Sequence, residues 1–401
     1  MAGKPNIVDE LGVVDPVAPF PARQGARVTP IAAPAAAAAE AEDPFRTWPD
    51  GRIHGMFDCK PPPTQWFAKD RLLQGRAHVI AGVGGSSKTR VQYHLAADGG
   101  VLGRLPWGWE IATTGSAALF LTEDTIDDSH RVLHAMGAHY SEDDRRKLTK
   151  HLRVFQLAGF PARLLELNGQ ALMETDVYVW LMQQIDRLPK PVVYIGIDPA
   201  LGVTEGDEMS PAHQRRLGEL MDRIAIESGA CVVLTTHAAK SMHQAEELGS
   251  HASRGSGAIT DAVRGEYVLR SMTADEAARF GIDDIVERKR YVQLAGTKGN
   301  SLPPEAYAPI WLRRGEAGLL SEVSLDRVER GSVGDREMQA LELLRVAHRS
   351  GETTLSFWRE QCKVAAAGCG HRALVNDAGT AAVASKDIVA VHEVGIAHIQ
   401  R

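Results

Sequence analysis

The chain has few cysteines, no long apolar run and no excess of positive charge, and each shortage removes a class of protein. Four cysteines in 401 residues (Cys59, Cys231, Cys362 and Cys369) are too few and too scattered to staple a fold, so a reducing compartment is expected. Cys362, Cys369 and His371 lie close together without an evident fourth ligand, which argues for thiols rather than a zinc site. No stretch reaches eighteen consecutive apolar residues, and the first residues lack the basic-then-apolar pattern of a leader. The expectation is a cytoplasmic protein with no membrane partner. Lysine and arginine number 45 against 51 aspartates and glutamates, a net charge of −6. That excludes a coat of positive charge but leaves room for a local basic stripe of the kind that holds nucleic acid. No internal repeat is visible.

What is present is enough apolar residue, 44%, for a sizeable core, and length for one large domain with appendages or for two or three domains. Residues 1–45 are rich in alanine and proline and poor in aromatics, so they read as a disordered tail. Residues 46–330 carry the ordered pattern. Residues 331–401 suggest a small C-terminal module, either a winged helix or a helical lid.

The chain is organised around residues 78–89, His-Val-Ile-Ala-Gly-Val-Gly-Gly-Ser-Ser-Lys-Thr. An apolar strand, Ala77–Ala81, runs into a glycine-rich turn, then Lys-Thr, then a helix read as Thr89–Ala97 and stopped by Asp98-Gly99-Gly100. This is the layout of a phosphate-binding loop. Gly82, Gly84 and Gly85 let successive N–H groups, including those of Ser86 and Ser87, turn toward one anion, and the helix adds the positive end of its dipole. Lys88 would reach the β- and γ-phosphates of ATP, and the Thr89 hydroxyl would ligate Mg²⁺. The usual pattern has glycine where this chain has Ser87. A serine fits there only with a negative φ, or if the strain is tolerated.

Further strands read as Ala117–Thr122, Leu152–Leu157, Val192–Ile197 and Cys231–Thr236. They alternate with helices at about Asp127–Ala138, Ala171–Leu188 and Ser210–Ser228. Apolar strands alternating with helices predict a mostly parallel α/β sheet covered on both faces, with ligands beyond the carboxyl ends of the strands. Those ends carry the phosphate loop, Glu123-Asp124, Asp198 and His237. Asp198 follows a buried strand, as an acid that organises the metal does. Glu123 ends a strand expected to neighbour the loop strand and is the candidate base, with Asp124 as its rival. His237 is a candidate γ-phosphate sensor. Past Gly265, Glu266–Met272, Val286–Thr297 and Pro309–Arg314 read as strands joined by hairpins. Arg264 reads either as an arginine finger for a neighbouring subunit or as an ordinary surface arginine. The basic runs Arg145–Arg153 and Arg288–Arg290 are either nucleic-acid contacts or solvated faces.

Taken in order, Gly-Val-Gly-Gly-Ser-Ser-Lys-Thr, Leu-Thr-Glu-Asp, Ile-Gly-Ile-Asp-Pro, Leu-Thr-Thr-His and Arg-Gly-Ser-Gly-Ala-Ile-Thr-Asp-Ala-Val-Arg resemble the RepA-like hexameric helicases, RecA-type P-loop ATPases of plasmids and phages. The resemblance covers about Pro61 to Arg314. It implies that Lys88 and Thr89 hold phosphate and Mg²⁺. It makes Glu123 the catalytic base, Asp198 the metal-organising acid, His237 the sensor, and Arg264 a finger acting across a subunit boundary. Lys298 and Asn300 match a late feature of that family. The resemblance also implies a hexamer-type ring with single-stranded DNA through its centre, held by loops such as 238–256, and replication proteins as partners. A nucleotide-gated DNA-binding, recombination or loading ATPase without unwinding activity would use the same residues.

Overall fold

The structure is a computed structural model and describes residues 57, 60–238 and 257–326. The chain divides into two units, residues 1–326 and 327–401, and every described residue lies in the first. The alanine- and proline-rich tail, most of the loop 238–256 and the C-terminal module lie outside the described residues.

Thirteen strands and nine α-helices are described. After the short β-ribbon β1 (Trp66–Ala68) and β2 (Leu72–Leu73), the loop strand β3 (Ala77–Gly82) leads into helix α1 (Lys88–Tyr93). Strand β4 (Ser116–Leu121) is followed by helices α2 (Ile126–Gly137) and α3 (Glu142–His151) and by strand β5 (Leu152–Gln156). A hairpin of β6 (Leu165–Asn168) and β7 (Ala171–Glu174) precedes helix α4 (Asp176–Asp186), strand β8 (Val192–Asp198) and helices α5 (Ala200–Val203) and α6 (Pro211–Ser228). Strand β9 (Cys231–His237) comes next, then helix α7 (Ala258–Ala262), strand β10 (Gly265–Ser271) and helices α8 (Ala274–Arg279) and α9 (Ile285–Arg288). Strands β11 (Tyr291–Gly299), β12 (Ile310–Arg314) and β13 (Leu320–Glu322) complete the unit.

One nine-stranded sheet runs in the order β13-β12-β11-β10-β3-β9-β8-β4-β5. The six strands from β10 to β5 are parallel to their neighbours, and β11, β12 and β13 extend the edge antiparallel. Side chains alternate between the two faces, as pleating requires. Phe120, Ile195, Ile197, Val232 and Leu234 pack under α4 and α6, which contribute Trp180, Leu181, Leu217 and Met221. Leu119, Leu121, Tyr194 and Val233 face the other way, toward Val91 and Tyr93 of α1 and Val132 and Met136 of α2. With both faces covered, every residue of β3, β4 and β8 is buried.

The structure corrects four readings. The strand carrying Glu123 does not neighbour the loop strand, because β9 and β8 lie between them. The helix after the loop does not stop at Asp98-Gly99-Gly100; it widens into a π-helical stretch, His94–Val101, that runs through both glycines. A Cβ on Gly100 would lie 3.2 Å from the Ala117 Cβ and 3.4 Å from the Tyr194 Cβ, so glycine serves close helix–sheet packing there instead of a stop. The helix read from Ala171 begins only at Asp176, where the Thr175 hydroxyl accepts from the Val177 N–H. Residues 165–174 form instead a hairpin about Gly169-Gln170, with Gly169 at φ 65°. Finally, Val286 starts no strand. It sits in the first turn of α9, whose N-terminus Asp284 caps, and β11 begins at Tyr291.

The base of β3 makes stability sensitive to acid. His78 is fully buried there, and its Nε2 accepts from the Leu73 N–H at 3.0 Å. Burial lowers its pKa from 6.5 to about 4. Below pH 6.5 the unfolded chain takes up a proton that the folded chain refuses. Stability should therefore fall as pH drops from 6.5 toward 4, by up to roughly 1.4 kcal/mol per pH unit. Urea midpoints measured across that range test this, and His78→Gln should flatten the slope.

Candidate active site

The phosphate loop, residues 83–87, joins β3 to α1 and faces the carboxyl edge of the sheet. A pocket of about 300 Å³ opens there, lined by Gly84, Gly85, Ser86, Ser87, Lys88, Thr89 and Arg90, by Glu123, by Asp198 and Pro199, by His237, and by Ala317 and Gly318. Four strand ends that are far apart in sequence therefore meet at one cavity. Gly82 and His237 are register partners on adjacent strands, which seats the histidine beside the root of the loop. Gly82 does not line the pocket. Its role is to leave room: a Cβ there would lie 2.5 Å from Ser86 Oγ and 2.7 Å from the Leu269 carbonyl oxygen.

Lys88 is buried, and its Nζ donates to the carbonyls of Gly82 at 2.8 Å and Val83 at 3.1 Å. Burial lowers its pKa, while the nearby Asp198 and Glu123 carboxylates pull in the opposite direction. Asp198 is 6% exposed and accepts from the Thr235 hydroxyl of β9, which fixes its orientation. Asp124 lies just outside the lining. Its Oδ2 is buried and has no hydrogen-bond partner among the described residues. Burial, and then the Asp198 charge, push its pKa up to about 6.

Two carboxylates, Glu123 and Asp198, line the pocket with Asp124 just outside it, and oxygen ligands of this kind suit a divalent cation. Among the described residues no group of three or more histidine, cysteine, aspartate or glutamate side chains forms a metal cage. Mg²⁺ does not need one, since it usually takes one or two carboxylates plus substrate phosphate oxygens and water. The Thr89 hydroxyl and the Asp198 carboxylate, both on the pocket wall, fit that pattern.

Arg264 is elsewhere. It precedes β10, whose Gly265 pairs with His78 at the amino end of β3. Its N–H donates to the Ala77 carbonyl at 2.9 Å, and its own carbonyl accepts from the Asn300 N–H at 3.2 Å. The structure places it at the opposite edge of the sheet from the pocket, about 16 Å away at strand rise. Lys298 sits at that same edge, where its Nζ donates to the carbonyls of Thr260 and, at 3.3 Å, Val263 near the end of α7. Of the basic runs, Arg145 and Arg146 lie on α3. Arg146 pairs with Glu142 at 3.0 Å, and Arg145 donates to the Gly137 carbonyl at 2.6 Å. Lys240 and Arg254, the lysine and arginine of the loop 238–256, lie outside the described residues.

Ser87 does adopt the left-handed conformation that the pattern reserves for glycine, with φ 77° and ψ 24° at the N-terminus of α1. It is held there by a residue that motif reading missed. Arg314, the last residue of β12, donates from Nε to Ser87 Oγ at 2.6 Å and from Nη2 to the Gly85 carbonyl at 2.7 Å.

The parallel sheet, the glycine-rich loop with Lys-Thr, and an acid at the end of β8, one strand removed from the loop strand, together define a P-loop ATPase of the RecA and helicase type. Residues 41–242 match the AAA_25 family, described as an AAA domain; the match spans just over half of the chain, and the chain belongs to this family.

Proposed function

We propose that this ATPase is a ring-forming, DNA-stimulated helicase or translocase of plasmid or phage replication that splits ATP at the junctions between its subunits. The observation that carries the reading is the convergence of Lys88, Thr89, Glu123, Asp198 and His237 on one pocket from four strand ends. The N–H groups of the loop and the α1 N-terminus would cradle the phosphates, with Lys88 exchanging its carbonyl partners for phosphate oxygens. Thr89 and Asp198 would hold Mg²⁺, which when bound neutralises charge on the phosphate oxygens. Glu123 would accept the proton of the attacking water. His237, beside the loop, would contact the γ-phosphate and pass its presence to the segment that follows β9. Arg264 sits at the amino end of β3, away from its own pocket, so as a finger it would serve a neighbouring subunit.

The test is the rate of phosphate release from ATP with Mg²⁺, with and without single-stranded DNA, run beside a strand-displacement assay. DNA-stimulated turnover with displacement supports the reading. Turnover with ATP-dependent DNA binding but no displacement would favour a loading or recombination factor. Turnover indifferent to DNA would leave an ATPase of another kind.

A further inference from the structure

We propose that Arg314 is a positioning residue for the phosphate loop of its own subunit, and that a serine stands at position 87 because its hydroxyl is what Arg314 holds. The proposal rests on the pocket's being the ATP site. Left-handed backbone costs a residue with a Cβ on the order of 1–2 kcal/mol, and such strain persists only where the surroundings impose it. Here the Ser87 carbonyl accepts from the Val91 N–H at 3.1 Å as α1 begins, and the Ser87 side chain is held by one guanidinium. Its planar fork reaches two points of the same loop, the Ser87 hydroxyl and the Gly85 carbonyl, while Nη1 donates to the Lys289 carbonyl. The Arg314 backbone N–H donates in turn to the Arg290 carbonyl at 2.7 Å, so the arginine is itself anchored to the entry of β11.

The charge of this group supports a role beyond packing. All three acceptors of the Arg314 side chain are uncharged, and the group is half-buried. A half-buried guanidinium without a carboxylate is unfavourable unless something offsets it, and the neighbouring pocket is where a triphosphate would dock. The turn after Arg314 belongs to the same apparatus. Arg90 of α1 donates to the Ala317 carbonyl at 2.8 Å, and Ala317 and Gly318, both at positive φ, form one wall of the pocket. The antiparallel edge of the sheet, well beyond the family-matched residues, thus completes and braces the phosphate site.

The test is ATP affinity by titration calorimetry, with melting temperature followed in parallel, for wild type and for Ser87→Ala, Ser87→Gly, Arg314→Gln, Arg314→Lys and Ser87→Gly with Arg314→Gln. Ser87→Ala keeps the strain and loses the contact, so it should weaken ATP binding about tenfold. Ser87→Gly needs no clamp and should stay within about threefold of wild type. Arg314→Gln should cost about tenfold in the wild-type background and threefold or less in the Ser87→Gly background. Arg314→Lys keeps the charge but not the fork and should resemble Arg314→Gln. Equal losses from Arg314→Gln in both backgrounds, or full rescue by lysine, would overturn the clamp while leaving the ATP site standing. If wild type fails to bind ATP, the reading of the pocket itself is what falls.

Discussion

Glu123→Gln should lower ATP turnover by about 10²- to 10⁴-fold while ATP affinity stays nearly unchanged, because the substitution keeps the shape of the side chain and removes only its capacity to take a proton. The carboxylate lines the pocket at the end of β4, on the far side of Asp198 from the phosphate loop in strand order, with its side chain open to solvent where a water would approach. Asp124 is the competitor, and its chemistry is not trivial. Its buried, unpartnered Oδ2 and a pKa near 6 suit a proton acceptor at neutral pH. Geometry separates the two, since Glu123 lines the pocket and Asp124 does not. Steady-state phosphate release at saturating ATP, beside calorimetric affinity, makes the comparison. Asp124→Asn should cost less than tenfold. If Asp124→Asn instead causes the larger loss, and an acid limb near pH 6 in the turnover profile disappears with it, the base is Asp124.

How much of this was legible in the sequence depended on how each residue reaches the site. Glu123, Asp198 and His237 were readable because each closes or follows an apolar run of strand length, Lys88 because it ends the glycine-rich loop that follows another, and a parallel sheet gathers its carboxyl ends along one edge. Strand order was not readable from periodicity, which is why β4 was placed beside β3 when β9 and β8 intervene. The hairpin at Leu165–Glu174 did have a local signal, Gly169 at the first position of the two-residue loop Gly169-Gln170, but the helix-forming run that continues to Asp186 hid it. The π-helical stretch through Gly99 and Gly100 had none, since only the approach of Ala117 and Tyr194 explains why two glycines sit inside a helix. Arg314 belongs to no motif. It reaches the loop because two antiparallel strands, β11 and β12, fold the chain back along the sheet edge, and the anomaly at Ser87 was the one trace it left in the loop pattern.

Mixing two inactive variants should restore activity if Arg264 serves a neighbour. Lys88→Ala removes the phosphate-binding ammonium and should cost 10²-fold or more in turnover. Arg264→Ala should cost about 10³- to 10⁵-fold if the residue is an arginine finger. Within one chain Arg264 cannot reach the pocket that Lys88 lines. Its backbone is tied to Ala77 at the amino end of β3, and the loop leaves from the carboxyl end. In a ring with head-to-tail contacts, each site would draw its lysine from one subunit and its arginine from the next. Random mixing of equal amounts then makes roughly one junction in four carry both intact residues, so turnover should recover to about a quarter of wild type. Energy transfer between donor-labelled and acceptor-labelled subunits after mixing checks that subunits exchange. No recovery after demonstrated exchange would return Arg264 to the role its visible contacts already give it: a backbone anchor, between Ala77 and Asn300, for the start of β10.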